Sequence, residues 1–86
     1  MRLVFTPYSW EDYLYWQATD RTTSKRINHL LEAVHRDPLT GIGKPEQFKH
    51  VLQGCWSRRI DEEHRLVYLL DGDDLVILQA RYRYEH

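Results

Sequence analysis

Between positions 44 and 65 the sequence runs KPEQFKHVLQGCWSRRIDEEHR, and its charged residues form a set of parts that could cut RNA without a metal. Glu46 is a lone carboxylate between Lys44 and Lys49, in a loop punctuated by Gly41, Gly43 and Pro45. Arg58 and Arg59 then end one β-like run, and Arg65 opens the next after an acidic turn at 61–63. If that turn closes a hairpin on Ile60 and His64, Arg59 and Arg65 stand opposite each other. Like charges directly opposite across a β pair are destabilising. An anion between them relieves that cost, and planar guanidinium forks suit a phosphate. Glu46 as general base would take the proton of a ribose 2′-OH, and the oxyanion would attack the adjacent phosphorus. Lys49, Arg59 and Arg65 would hold the phosphate and stabilise the charge that grows on its oxygens.

Each of these residues also has an ordinary reading. Glu46 could be a solvated loop carboxylate paired with Lys44 or Lys49, as most carboxylates face solvent. Arg59 and Arg65 could pair with Asp61, Glu62 and Glu63, although each would need a carboxylate reaching back from the turn. Trp56, Tyr82 and Tyr84 could stack on bases, which all present a π-face. Trp56 reads better as a core residue, since aromatics supply much of a small core. Gly41-Ile42-Gly43-Lys44-Pro45 lacks the spacing and the Ser or Thr of a phosphate-binding P-loop. Five histidines and one cysteine show no metal-ligand spacing, so neither a metal nor another cofactor is expected.

Composition narrows the field further. Eighty-six residues suit one domain over 1–86, with a thin core that buries about 60% of the unfolded surface. The net charge is −1, so bulk charge does not mark a nucleic-acid binder. Distribution matters more: four basic residues and one acidic residue lie between Lys44 and Arg59, a stripe whose local field could attract RNA. A single cysteine rules out an intrachain disulfide. With neither a signal-like apolar run nor a stretch of membrane-spanning length, the expectation is a cytoplasmic protein with no membrane partner.

These residues need elements to position them. Arg2-Leu3-Val4-Phe5 reads as a short strand. Ser9, with Asp12 three residues on, resembles a helix-capping box, and Trp10, Tyr13, Leu14 and Gln17 would share one face of a short helix. Asp20 caps a second helix in which Ile27, Leu30, Leu31 and Val34 recur at helical spacing, ended by Asp37-Pro38. Residues 38–48 read as loop, with a brief edge at Val51-Leu52. Main strands follow at 56–60, 64–70 and 75–83, the last two joined by the turn Asp71-Gly72-Asp73-Asp74. The order β-α-α-β-β-β predicts an α+β fold, with both helices on one face of a twisted, mainly antiparallel sheet. The turns at 61–63 and 71–74 lie at opposite ends of that sheet. The last strand therefore returns Arg81, Tyr82, Arg83 and Tyr84 toward Arg59 and Arg65.

The stretch Lys44-Pro45-Glu46, Lys49-His50, Leu52, Gly54, Trp56-Ser57-Arg58-Arg59-Ile60, Glu63-His64-Arg65-Leu66-Val67-Tyr68 resembles the YoeB-type toxins of the RelE/ParE superfamily. The likeness extends through Ser9 to Gln17 and through Arg81-Tyr82. The resemblance implies a RelE-like fold and a bacterial toxin–antitoxin system. The toxin would enter the ribosomal A site and cut the bound mRNA, with a YefM-type antitoxin blocking it and a homodimer left open. It puts the general base at Glu46, phosphate-contacting and charge-stabilising residues at Lys49, Arg59 and Arg65, and a functional tyrosine at Tyr84. Lys44 and Arg81 would add RNA contacts.

There is one departure. Where the resemblance leads one to expect a general-acid histidine, the chain has Arg83. Arginine stays protonated to about pH 12 and is a poor proton donor, so Arg83 would act as a fixed cation at the leaving oxygen. Proton delivery would fall to Tyr84, water or His86. Two alternatives stay open: a non-catalytic inhibitor that binds the ribosome through the same cations, and a ParE-like toxin that binds a protein target.

Overall fold

The computed structural model describes residues 1–47 and 54–82. The expected edge at Val51-Leu52 lies outside the described residues, as do Lys49, Arg83, Tyr84 and His86. The elements are β1 (Arg2–Phe5), α1 (Pro7–Thr19), α2 (Arg21–Arg36), β2 (Glu46–Gln47), β3 (Cys55–Arg59), β4 (Arg65–Asp71) and β5 (Asp74–Gln79). They form a sheet in the order β1-β5-β4-β3-β2, with β1 parallel to β5 and the other pairs antiparallel. This is the expected α+β fold, two helices against a mixed sheet. No helix among the described residues is long and apolar enough to cross a membrane.

α2 forms as its sequence dictates. The Asp20 carboxylate accepts the Thr23 amide hydrogen at 3.0 Å, satisfying one orphan donor of the first turn. Its apolar stripe, Ile27, Leu30, Leu31 and Val34, meets Leu66, Tyr68, Leu75 and Ile77 from the sheet in one core. Burial of each such side chain contributes about 1.5–3 kcal/mol, and this stripe fixes α2 across the sheet.

α1 departs from expectation in its start, and the face it buries is not the one that carries Trp10 and Leu14. The cap is Thr6, whose hydroxyl accepts the Ser9 amide hydrogen; Pro7 occupies the first turn, where its missing N–H costs nothing. Ser9, buried, and Trp16, 7% exposed, face the sheet with Asp12 and Tyr13, whereas Trp10 and Leu14 are largely exposed. The reason is polar. The Ser9 hydroxyl donates to the Ile77 carbonyl at 2.6 Å, the Trp16 indole to the Ala80 carbonyl at 2.7 Å, and the Asp12 carboxylate accepts the Ala80 N–H at 3.0 Å. β1 stops at Phe5; the Thr6 N–H still reaches the Ile77 carbonyl at 3.2 Å, Ser9 adds a second donor there, and Asp12 and Trp16 supply the partners that Ala80 would otherwise lack. Withdrawal from water raises the Asp12 pKa, opposed by that Ala80 hydrogen bond.

The expected hairpins form. Asp71 pairs with Asp74 around Gly72, whose φ of 58° suits a two-residue turn. β5 ends at Gln79 rather than reaching position 83. Beyond it Ala80 is engaged by α1, and Tyr82 takes a φ of 64° that ends strand geometry.

Candidate active site

The route to the site begins on the helix-covered face. Arg58, fully buried, donates to the carbonyls of Asp37 (2.6 Å), Thr40 (2.7 Å) and Ile42 (3.1 Å) and to the Tyr68 hydroxyl (3.2 Å). It binds the loop after α2 to β3, so it does not belong to the exposed basic stripe expected from sequence. The Asp37 carboxylate is held below its ordinary pKa by hydrogen bonds from Thr40 and Leu39. Gly43 then passes between α2 and β3 at a φ of 85°; a Cβ there would stand 2.8 Å from Leu30 Cδ2 and 3.0 Å from Arg58 Cβ. Its carbonyl accepts the Arg59 N–H at 2.7 Å.

That path delivers Glu46 into a strand rather than a loop. Glu46 pairs with Ser57 and Gln47 with Trp56, because the outer edge of β3 offers backbone groups that need partners. Alternation then puts Glu46, Ser57, Arg59 and Arg65 on the sheet face opposite the helices. Arg59 and Arg65 are directly opposite in register, as expected.

The side chains converge around Arg65. One guanidinium nitrogen donates to Ser57 Oγ at 2.9 Å; the other lies 3.4 Å from a Glu46 carboxylate oxygen. Among the described residues Glu46 therefore pairs with Arg65 rather than with Lys44. The Glu46 side chain is 63% exposed and that of Arg65 18%, so the carboxylate is reachable while the cation is partly fixed. Among the described residues, no hydrogen bond or ion pair engages the Arg59 guanidinium. A cleft of about 400 Å³ is lined by Arg59, Arg65, Asp61 and Glu62. Asp61 is committed to the turn, accepting the Glu63 and His64 amide hydrogens at 2.8 and 2.7 Å. A partly buried cation, Arg65, and an exposed one, Arg59, beside a reachable carboxylate can bind a phosphodiester and remove a proton next to it.

The other expected residues sit elsewhere. Lys44 is exposed at a φ of 52° just before β2. Arg81 stacks over the Tyr15 ring at 3.6 Å and lies 4.7 Å from that of Tyr82, on the α1 side rather than beside Arg59. Tyr82, 54% exposed, is tied to the site by its carbonyl, which accepts the Arg65 N–H at 3.0 Å. Trp56 packs against the core. Lys49, Arg83 and Tyr84 fall outside the described residues. Sequence reading missed Ser57, which orients Arg65; two-residue alternation back from Arg59 was the signal that could have found it.

The chain matches, over residues 5–84, the model of the YoeB-like toxin of bacterial type II toxin-antitoxin systems. It is 56% identical over 84 residues to the toxin YoeB of Streptomyces coelicolor, covering 98% of this chain and all of that protein. Among solved structures it resembles a YoeB/ParE toxin from Agrobacterium tumefaciens (TM-score 0.93, 45% identity, 98% and 100% of the two chains). It also resembles Staphylococcus aureus YoeB in a dimer (TM-score 0.88, 45% identity, 98% of each chain) and in a complex with YefM (TM-score 0.86, 44% identity, 98% of each chain). The chain belongs to the YoeB family of toxins of bacterial type II toxin–antitoxin systems.

Proposed function

We propose that residues 1–86 act as one toxin domain that cleaves mRNA in the ribosomal A site without a metal cofactor, and so arrests translation in the cytoplasm. The observation that carries this reading is the Glu46 carboxylate 3.4 Å from the Arg65 guanidinium, with Arg59 directly across the ladder. Glu46 takes the proton of the ribose 2′-OH. The freed oxygen attacks the adjacent phosphorus, and Arg59 and Arg65 stabilise the charge spread over the phosphoryl oxygens. The P–O5′ bond breaks, leaving a 2′,3′-cyclic phosphate upstream and, once the leaving oxygen is protonated, a 5′-hydroxyl downstream. Arg83 serves as a fixed cation at that oxygen, with the proton coming from Tyr84, His86 or water. Lys44, Lys49 and Arg81 hold the RNA backbone.

A cation-lined site on a chain of net charge −1 also suits an acidic segment that folds on binding. The partner proposed is a YefM-type antitoxin, in keeping with the S. aureus complex. The homodimer is proposed from the S. aureus dimer.

The test is to map 5′ ends of an mRNA in purified translating ribosomes. New 5′-hydroxyl ends inside the A-site codon are expected. Arrest of translation on intact mRNA would instead mean an inhibitor that only binds, and no effect on ribosomes would point to a protein target.

A further inference from the structure

We propose that His64 is a positioning residue for this cleavage: its neutral imidazole latches the backbone of Tyr82, fixing where the chain leaves toward Arg83 and Tyr84. The inference rests on the proposed function for its catalytic meaning, and on geometry for the latch itself.

His64 is the residue before Arg65, and its side chain turns inward. The Asp61 carboxylate holds its amide at 2.7 Å. The ring, 8% exposed, meets Trp16 edge-on at 4.8 Å and Tyr82 at 5.5 Å. Its Nδ1 lies 2.7 Å from the Tyr82 backbone nitrogen, which can only donate. Nδ1 must therefore carry the lone pair, which assigns the neutral tautomer with its proton on Nε2.

Tyr82 needs such a latch. Its φ of 64° lies in the left-handed region, unfavourable for a bulky side chain unless the surroundings hold it there. His64 takes its N–H, while the Arg65 N–H and the Gln79 side-chain amide donate to its carbonyl at 3.0 and 3.2 Å. Two consecutive residues, His64 just before β4 and Arg65 at its start, thus grip both polar groups of Tyr82, and the second of them is the arginine at the centre of the site. Upstream, α1 holds Ala80 through Asp12 and Trp16, and Arg81 lies over Tyr15.

Protonation would place a hydrogen on Nδ1 and turn the acceptor against the Tyr82 N–H. The charged or titratable groups around the ring are Glu63, whose carboxylate is 3.7 Å from Nε2, Asp12 on α1, the adjacent Arg65, and Tyr82 itself.

The test reads the latch with and without RNA. Long-range 15N–1H correlation on the wild-type chain should give the Nε2–H tautomer, and the Tyr82 amide should exchange slowly. His64→Leu, which keeps bulk but removes the acceptor, should speed Tyr82 amide exchange and lower kcat on ribosomes, each by about tenfold, with KM within about twofold. His64→Asn, whose Oδ1 can stand near the Nδ1 position, should restore most of both. An Nδ1–H tautomer, or Tyr82 exchange unchanged in His64→Leu, overturns the latch without touching the proposed function. Faster exchange with undiminished kcat overturns the positioning role. If the wild-type chain cuts no mRNA, the proposed function fails while tautomer and exchange still decide the latch.

Discussion

Arg58 and Arg59 are neighbours in sequence and opposites in structure. Arg58 points into the helix-covered side of the sheet, fully buried, its guanidinium shared among three carbonyls and a tyrosine hydroxyl. Arg59 points to the other side, is exposed, and faces Arg65 across the ladder. A buried cation that makes four hydrogen bonds with its five N–H donors is a bolt, because leaving its acceptors unpaired is costly. A cation facing its like across a strand pair, beside a reachable carboxylate, is a place for an anion. Residue type does not separate the two; strand alternation and the loop that lines one side do.

That contrast can be broken at either end, and the bolt should give the largest effect. Arg58→Leu removes four hydrogen bonds, one buried and three partly buried, from a fully buried side chain and should cost roughly 3 kcal/mol or more of stability. Denaturant unfolding measures it; a loss under about 1 kcal/mol would mean that the loop after α2 does not depend on Arg58. Glu46→Ala removes the base from an exposed strand end, so cleavage should fall by about 10²-fold or more while the unfolding midpoint stays near wild type. Cleavage within about threefold of wild type would remove Glu46 from the chemistry.

Arg65→Ala should lower the single-turnover cleavage rate by at least about tenfold. Ribosome binding should change less, since the charge it meets grows in the transition state. Equal losses would make Arg65 a binding residue only. Smaller again is Arg83. Arg83→Ala should slow cleavage several-fold, and Arg83→His should be tolerated or faster. The histidine variant should lose activity as pH rises through the imidazole range, a fall absent from the wild type. A wild-type fall abolished by His86→Ala would instead identify His86 as the acid.

The smallest effect expected is on the loop beside the bolt. The Asp37 pKa is depressed in the fold by its Thr40 and Leu39 hydrogen bonds. Its stabilising contribution is therefore complete above the unfolded value of about 3.9 and fades as pH falls through the lower folded value. Asp37→Asn should flatten that acid limb of the stability curve; an unchanged limb would discount those bonds.

Much of this frame was legible from sequence because it rests on local period and turn chemistry. Ile27, Leu30, Leu31 and Val34 recur at helical spacing, Asp71-Gly72-Asp73-Asp74 marks a tight turn, and two-residue alternation around 61–63 puts Arg59 opposite Arg65. What stayed hidden rests on long-range polar partners. Trp10 and Leu14 look like the core face of α1 until Ser9, Asp12 and Trp16 are seen binding the edge of β5. Arg58 looks like part of a basic stripe until carbonyls 16 to 21 residues away close around it. Glu46 looks like a loop residue until the free edge of β3 recruits it, and its 3.4 Å approach to Arg65 follows only from that pairing.

The central claim is that the face carrying Glu46, Arg59 and Arg65 cuts RNA by turning its own 2′-oxygen on the phosphorus. The most direct measurement uses two mRNAs on programmed ribosomes, identical except for one 2′-deoxynucleotide immediately 5′ of the mapped scissile phosphate. The account predicts that the all-ribose message is cut to a 2′,3′-cyclic phosphate and a 5′-hydroxyl, and that the deoxy message stays intact while still binding the protein. Equal cleavage of both messages would mean that the nucleophile is water, and would contradict it.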